Sequence, residues 1–450
     1  MRIKRSRYIF VLSIVYILFL DFSLLAKTDS ILRVWHTENN PKTIEVLEKM
    51  AQNFTKIHPE VRVKLEAINW NNLGTKLTQA IHTKTLPDIS HIQPFMGASL
   101  YNKGHLTPLN DVIESIGRDE IFEYVRDVLY FDKNNYGIPH AMGTTLIIYR
   151  KDLFYKKQLK EPKTWAEFLQ MIEKLEEDRD KDGKKDFFGI DLPGGENHFM
   201  NCIFSALVSS NRGRFFDINF SPTLNEKPVL EALEFFKNLS KVALPGWTKR
   251  SYMETLRSLA TDKVACVYFG SPRLINYIEE LAPPEMSSPD VFAVLPDPYG
   301  PSGDIGYSQL DCENWVIFQN SKHKKQAKEF LRFFYERNNY LKYCLSVPIH
   351  LVPVLKSLCE DPEYLQNPVI DKWYSWYKHI LKNIQNGTCY PITLMAEKDD
   401  ILVPFILQFA ESGIVKNMMI DVAIEGICPY DASMGAQAEA RTLLQSLDLR

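Results

Sequence analysis

The chain has 450 residues, of which 45% are hydrophobic and 24% are charged. Because a single hydrophobic core stops growing at about 250–300 residues, this length predicts two lobes rather than one. The 53 basic and 56 acidic residues leave a net charge of −3, which excludes the basic surplus of a nucleic-acid-binding protein and the charge block of a disordered tail.

The N-terminal segment, residues 1–26, has the layout of a secretory signal peptide. A basic start precedes an apolar run over residues 8–20, and Ala26 is a small residue at which cleavage can occur. Asp21 interrupts the apolar character and Leu24 is a poor match to the small residue expected there, so an uncleaved anchor stays an alternative. No other stretch is long and apolar enough to span a bilayer. We therefore expect an exported, periplasmic protein.

The cysteines indicate little about structure or function. They are odd in number, scattered and without a C-x-x-C pair, so neither cysteine-based zinc ligation nor a disulfide framework is expected at this chain length. At least one thiol stays free unless it pairs between chains. The seven positions are Cys202, Cys266, Cys312, Cys344, Cys359, Cys389 and Cys428.

Strands and helices alternate from Ile31 onward. Three apolar or alternating runs predict strands at Ile31–Trp35, Val61–Ala67 and Ile89–Ile92, and apolar residues at helical spacing separate them. Two successive β-α-β units indicate a parallel sheet with right-handed crossovers. Ligands of such sheets lie beyond the carboxyl ends of the strands. The candidate binding residues at these ends are Trp35, His36, Glu38, Asn39, Asn69, Trp70 and Gln93.

The stretch Tyr136–Phe154, YGIPHAMGTTLIIYRKDLF, has two extended segments with a pause between them. Pro139 biases its neighbour toward an extended backbone, and Gly143 gives the chain freedom to turn. This pattern is typical of a chain that passes from one lobe to another, although an ordinary bent strand would have it too.

An ordered set of motifs resembles the bacterial extracellular solute-binding proteins of the large sugar-binding family, whose best-known member is the maltodextrin-binding protein. The resemblance covers about Ile31 to Tyr335. Its motifs are ILRVWHTENN, FTKIHPEVRVKLE, LPDIS, IPHAMGTTLIIYRKDLF, EPKTWAEF, DKDGKKDFFGI, VACVYFGSPRLINY, VFAVLPDPYGPSG, ENWVIF and KKQAKEFLRFFY.

The resemblance implies an α/β, two-lobed periplasmic-binding-protein fold of type II, each lobe a mostly parallel sheet flanked by helices. The N-terminal lobe would comprise residues 27–142 and 297–348, and the C-terminal lobe residues 143–296 and 349–450. A hinge would join them, with crossings near Pro139–Thr145, Pro296–Asn314 and Val347–Leu351.

The implied function is capture of a sugar or sugar-like solute between the lobes and its delivery to the permease of an ABC importer, by a monomer without enzymatic activity. Two departures from the maltodextrin binder put a maltodextrin ligand in doubt. Gly143 stands where that protein has a carboxylate, and Pro272-Arg273 stands near the position of a tryptophan.

The second lobe would supply the other half of the site. Glu196 and His198 open an apolar helix, where they either face the sugar or only cap the helix. An aromatic residue in a loop could stack on a sugar ring, and the junction between a strand and the next helix offers hydrogen-bond donors. The return crossing adds two carboxylates. These further candidates are Trp247, Tyr268, Ser271, Arg273, Tyr307, Asp311 and Glu313.

An acidic stretch in the second lobe resembles a calcium loop, with Asp178, Asp180, Asp182 and Asp186 at alternating positions. Gly189 stands where the usual bidentate glutamate would be, so a plain surface turn stays an alternative. No cofactor is expected apart from this structural calcium. Trp165 follows a capping residue, Thr164, and is expected in the core.

Two other functions compete. A secreted carbohydrate-active enzyme would need two carboxylates on opposite sides of the scissile bond, but Asp311 and Glu313 share one face of one strand. No G-x-S-x-G, H-E-x-x-H, P-loop or G-x-G-x-x-G motif is present. A binding module that reports to a membrane sensor would have the same ligand chemistry, and the sequence does not separate it from transport.

Overall fold

The computed structural model of the protein describes residues 30–391, 395 and 403–447. The predicted signal peptide and its cleavage site lie outside these residues. Within the described ranges, no helix combines the length and the apolar character that a membrane crossing requires.

Eleven strands lie in the described part of the chain, in two larger sheets and one hairpin. They are β1 (Ser30–His36), β2 (Val61–Ala67), β3 (Ile89–Ile92), β4 (Tyr130–Phe131), β5 (Asn134–Asn135), β6 (Ile138–Thr144), β7 (Leu146–Arg150), β8 (Cys266–Gly270), β9 (Phe292–Leu295), β10 (Ser308–Ile317) and β11 (Cys389–Tyr390).

Helices cover both sheets. They are α1 (Pro41–Ile57), α2 (Trp70–Thr83), α3 (Pro94–Asn102), α4 (Asn110–Ile116), α5 (Glu123–Arg126), α6 (Lys151–Lys156), α7 (Trp165–Leu175), α8 (Asn197–Ser210), α9 (Lys227–Lys241), α10 (Tyr252–Ala260), α11 (Leu274–Leu281), α12 (Lys324–Phe334), α13 (Arg337–Cys344), α14 (Lys356–Cys359), α15 (Pro362–Leu365), α16 (Pro368–Lys372), α17 (Tyr374–Asn386), α18 (Ile406–Glu411), α19 (Ile414–Ala423) and α20 (Pro429–Ser446).

The first sheet contains β1, β2, β3, β6, β10 and β11. β1 lies between β2 and β3 and is parallel to both, as the two predicted β-α-β units require. β10 then pairs antiparallel with β3 on one side and with β6 on the other. The parallel prediction therefore holds for the first three strands, and the crossing strands add an antiparallel edge.

The second sheet contains β7, β8 and β9 in the order β8-β7-β9. Here the structure differs from the expectation of a mostly parallel sheet, because β7 runs antiparallel to both neighbours. The reason is the path of the chain. β7 leads from the first sheet into the second lobe. β8 and β9 run in the opposite direction, back toward the first sheet.

The chain passes from the first sheet to the second at Thr145, between β6 and β7. The predicted pause at Gly143 is thus displaced by two residues, since Gly143 lies inside β6 and pairs with Asp311. The return connects β9 to β10. Thr145 and Gln309 join the two crossings through two hydrogen bonds, from Thr145 N to Gln309 O (3.0 Å) and from Gln309 N to Thr145 Oγ1 (2.9 Å).

The described C-terminal part, from Lys356 onward, is mostly helical. α19 and α20 pack together and against α9 of the second lobe. Before them, Val352 and Leu355 still form single bridges with Met142 and Ile121. The lobe boundary at residues 348/349 stays a prediction. The two bridges mean that residues after this boundary still contact the predicted first lobe.

The expected capping of α7 is confirmed. Thr164 Oγ1 accepts a hydrogen bond from Glu167 N, and the Glu167 carboxylate accepts one from Thr164 N, which together form a capping box. Trp165 is buried, stacks on Phe235 and donates from Nε1 to Pro298 O at 3.1 Å. Its role is packing.

The return crossing has a close backbone approach that only glycine permits. A Cβ on Gly306 would overlap the carbonyl oxygen of Asp297, whereas a Cβ on Gly143 would lie 4.0 Å from Asp311 Cβ, an ordinary contact. Gly306→Ala is therefore expected to destabilise the protein by about 1–3 kcal/mol through forced backbone movement, and Gly143→Ala much less. Urea-denaturation midpoints of the two variants would test this. Equal midpoints would mean that the return crossing accommodates the added methyl group.

Candidate functional site

A cavity of about 690 Å³ is lined by residues from both sheets and from the helices beside them. The loops that follow β1, β2 and β3 supply Glu38, Asn39, Asn69 and Gln93, and Trp70 is the first residue of α2. These strands are parallel, so their carboxyl ends meet at one edge of the sheet and bring the loops together. The cavity therefore lies where the parallel topology predicts a site.

β10 crosses the cavity and presents Asp311 and Glu313 to it. The two residues are separated by one position, which places both side chains on the same face of the strand. Gln93 Nε2 donates to Asp311 Oδ1 at 3.1 Å, and His91 Nε2 lies 3.2 Å from Glu313 Oε2. Side chains of β3 and of the loop after it thus hold both carboxylates in place.

The second lobe forms the opposite wall. Glu196 precedes α8 without capping it, and instead accepts a hydrogen bond from Tyr252 N at 2.7 Å. Phe199 stacks on Tyr252 with ring centroids 4.5 Å apart. Ser271 and Arg273, between β8 and α11, complete this wall. It combines aromatic faces with hydrogen-bonding groups.

Glu38, Asp311 and Glu313 form a carboxylate cluster whose members affect each other's ionisation. Burial, and then the charge of Glu313, raise the pKa of Asp311 to about 6, and the same two causes raise the pKa of Glu38. Burial acts on Glu313 in the same direction, but His91 outweighs it and lowers the pKa of Glu313. Glu313 is therefore the member that keeps its charge to the lowest pH.

Two imidazoles of the cavity are neutral near pH 7. Burial lowers the pKa of His198 to about 4, and burial followed by the charge of Arg273 lowers the pKa of His350 to about 3. A neutral imidazole has one donor and one acceptor nitrogen. Both groups therefore suit a ligand whose hydroxyls donate and accept.

Residues 40–338, more than half of the chain, match the sequence profile of the family described as bacterial extracellular solute-binding protein. The chain belongs to this family. The predicted resemblance and the two-lobed fold are confirmed, and the family is one of binding proteins rather than enzymes.

Named relatives of this solute-binding protein include sugar and polyol binders. The mannitol-binding protein of Pseudomonas aeruginosa is 25% identical over 65% of this chain and 66% of its own length. The maltotriose-binding protein of Pyrococcus abyssi is 23% identical over 75% of this chain and 69% of its own length.

A solved structure has the same fold. An ABC transporter solute-binding protein from Agrobacterium vitis with bound D-mannitol superposes with a TM-score of 0.72 at 21% identity, over 92% of this chain and 98% of that one. At this identity the likeness shows the fold alone.

Most of the predicted binding residues line the cavity of the solute-binding protein. Their contact with a solute stays a prediction, but the fold brings them together from six separate segments of the chain. They are Glu38, Asn39, Asn69, Trp70, Gln93, Glu196, His198, Ser271, Arg273, Asp311 and Glu313.

Two predicted residues of β1 do not line the cavity. The strand continues through His36, so Trp35 and His36 point into the packed layers on either side of the sheet. Trp35 Nε1 donates to Glu66 Oε2 at 2.9 Å on β2, and Lys76 lies over its ring. Burial and then His91 lower the pKa of His36 to about 4. Both residues are corrected to core positions.

Three further predicted aromatic residues also lie elsewhere. Trp247 is 4% exposed and meets Phe236 edge to face at 5.6 Å. Tyr268 is buried against α7, because its neighbour Phe269 takes the cavity-facing position of β8. Tyr307 lines a separate surface pocket. The predictions that these three residues line the cavity are therefore wrong.

Several wall residues are not among the predicted binding residues, and they are Phe95, Phe199, Tyr252, Phe269 and His350. They lie inside elements or in segments without a motif, where an aromatic residue is indistinguishable from a core residue. Two of them had a signal, since Phe199 lies next to His198 at the start of α8 and Phe95 closely follows Gln93 after β3. The other three become visible when the two lobes are brought together.

The acidic loop lies away from the cavity. The carboxylates of Asp178, Asp180 and Asp182 offer oxygens within 4.8 Å of one another, and all three residues are exposed. Asp186 is outside this group and accepts a hydrogen bond from Arg179 N at 2.8 Å. Internal hydrogen bonds such as Gly183 N to Asp178 Oδ2 (2.9 Å) are those of a turn, so a bound calcium stays a prediction.

Trp247 and Trp70 give a matched pair for separating core from wall. Trp247→Ala is expected to cost about 3–5 kcal/mol of stability, since it empties a packed site. Trp70→Ala, at a half-exposed cavity position, is expected to cost less than half as much. Chemical denaturation measures both. Equal losses would contradict the assignment of Trp70 to an open wall.

Proposed function

We propose that this solute-binding protein captures a sugar or sugar alcohol in the cavity and delivers it to the permease subunits of an ABC importer. It acts in this proposal as a periplasmic monomer from which the signal peptide has been removed near Ala26, and it does not turn its ligand over. Size-exclusion chromatography with light scattering and N-terminal sequencing test the monomer and the cleavage.

The observation that carries the proposal is the mixture of groups in one cavity. Four carboxylates and four amides converge with aromatic side chains from both lobes. A sugar or polyol has hydroxyls that both donate and accept, which carboxylates, amides and neutral imidazoles satisfy. Its C–H groups suit aromatic faces such as those of Trp70 and Phe199.

The relatives support the same class of solute, since a mannitol binder and a maltotriose binder are among them. The pair of carboxylates on β10 gives no support for hydrolysis. Asp311 and Glu313 project from one face of β10, whereas acid and base of a glycosidase flank the scissile bond from two sides.

A thermal-shift screen of the mature protein tests the class of solute. The probes are D-mannitol, D-glucose, maltotriose and an arabinose oligosaccharide, with a tripeptide as the contrasting class. A ligand at about 100 times its dissociation constant adds about 2.7 kcal/mol of stability and raises the melting temperature. Stabilisation by the tripeptide and by none of the carbohydrates would overturn the proposal.

A matched pair of arginine variants places the effect in the cavity. Arg273→Ala removes a cavity guanidinium, and Arg337→Ala removes a surface one that pairs with Asp361. The shift given by the best probe of the screen should fall in Arg273→Ala and persist in Arg337→Ala. Equal shifts in both variants would place binding outside this cavity.

Binding is also expected to bring the lobes together. A ligand favours the closed form only if it interacts more strongly with that form than with the open one, and this cavity has walls from both lobes. Solution X-ray scattering with the best probe of the screen should therefore show a smaller radius of gyration than without it. An unchanged radius at saturation would mean that the cavity is rigid.

A further inference from the structure

Three side chains beneath the cavity come from neighbouring strands of the first sheet. His91 is on β3, His140 on β6 and Glu313 on β10, and β10 pairs with both other strands. The pairing of β6 with β10 is shifted at Glu313/Asn314, so His140 is the extra residue of a bulge. Bulges change the direction of a side chain, and here the bulge brings an imidazole to the cluster.

The cluster is tight and shielded. One ligand atom from each of the three side chains lies within 4.8 Å of the others, and both imidazoles are fully buried, with 0% exposure. Among the described residues, His140 Nε2 has no hydrogen-bond partner, and the group that faces His91 Nε2 is the Glu313 carboxylate, with Oε2 at 3.2 Å. Buried polar atoms are rarely left this way without a reason.

The other ring nitrogens are occupied. Thr37 N donates to His91 Nδ1 at 3.4 Å and Thr37 Oγ1 lies 2.5 Å from the same nitrogen, so zinc at His91 Nε2 would have to displace the proton that this tautomer places there. Tyr343 Oη lies 2.9 Å from His140 Nδ1. Tyr343 donates its hydroxyl proton to Glu38 Oε1 at 2.7 Å. Its oxygen is therefore free to accept from His140 Nδ1–H, which leaves the lone pair on His140 Nε2. This is the arrangement of a metal-binding histidine whose second nitrogen is held by an outer partner.

We propose that His91 Nε2, His140 Nε2 and a Glu313 carboxylate oxygen bind one zinc ion beneath the cavity. Ligands about 2.0–2.1 Å from a tetrahedral zinc lie about 3.3 Å apart, close to the 3.2 Å between His91 Nε2 and Glu313 Oε2. Two imidazoles with one carboxylate favour zinc over calcium or magnesium, which prefer oxygen ligands. Glu313 lines the cavity, so the fourth position is accessible to water or to a ligand hydroxyl.

The alternative occupant is a proton shared between His91 and Glu313, which would make the cluster a structural ion pair. Zinc titration of metal-free mature protein by calorimetry, without any sugar, separates the two. Excess calcium is included so that the exposed acidic loop does not contribute. The experiment does not depend on the identity of the solute, so its failure would leave the proposed sugar binding standing.

The variants keep the packing while they remove a ligand. His140→Asn retains an amide donor near the Nδ1 position but has no group at Nε2, and Glu313→Gln removes the charge. Each should weaken zinc binding at least about 100-fold, since even outer partners contribute 10–100-fold. Tyr343→Phe, which removes such an outer partner, should weaken it about 10-fold. His379→Gln, on α17 and outside the cluster, is the control and should bind as the wild type does.

Cobalt(II) gives a second readout, because its visible absorption reports tetrahedral coordination directly, and circular dichroism shows whether each variant is folded. One equivalent of zinc bound by the wild type, lost in folded His140→Asn and Glu313→Gln, supports the site. No zinc binding by the wild type, or equal binding by these variants, would overturn it and leave the shared proton as the occupant.

Discussion

The antiparallel pairing of β6 with β10 is the constraint on which the rest of the molecule depends. These two strands lie side by side in the first sheet, and each continues into one of the crossings to the second lobe. Thr145 and Gln309 link the crossings by backbone and side-chain hydrogen bonds. The two crossings are therefore held to each other by hydrogen bonds at the point where they leave the first sheet.

The same pairing fixes the chemistry of the cavity. Because β10 runs through the junction, its alternate residues Asp311 and Glu313 enter the space between the lobes. A carboxylate at such a position is costly to ionise, which the raised pKa of Asp311 reflects. Hydroxyl groups of a ligand can supply hydrogen-bond donors to these carboxylate oxygens. The buried carboxylates of the site thus need hydrogen-bond donors, and a ligand in the cavity can contact both walls.

Much of the first lobe could be predicted from the sequence because its strands are parallel and each is followed by a polar loop. That rule led to Glu38, Asn69 and Gln93, and all three line the cavity. It failed for Trp35, since the strand is one residue longer than its apolar run indicates. The Trp35 ring therefore lies in the packed layer of the sheet, however well its chemistry suits a sugar.

The second lobe was less predictable for a physical reason. Its wall depends on helices and strand faces that meet only through long-range packing, so Trp247 and Tyr252 cannot be told apart by local pattern. Gly194 decides between them: a Cβ at this position would lie 2.5 Å from the Trp247 ring, so the glycine permits Trp247 to pack inward. Tyr252 is instead held at the wall by Glu196 and Phe199.

The bulge at His140 is a backbone feature that local sequence pattern also could not predict. Regular alternation along β6 would not predict that His140 and Glu313 meet, because one extra residue changes the face that the following side chains take. The polar network of His91, His140 and Tyr343 depends on that single shift, and it lies against the strand pair that carries the hinge. An ion or proton in the cluster would therefore contact side chains of both crossing strands. The cluster thus links buried polar groups of the first sheet to the junction between the lobes.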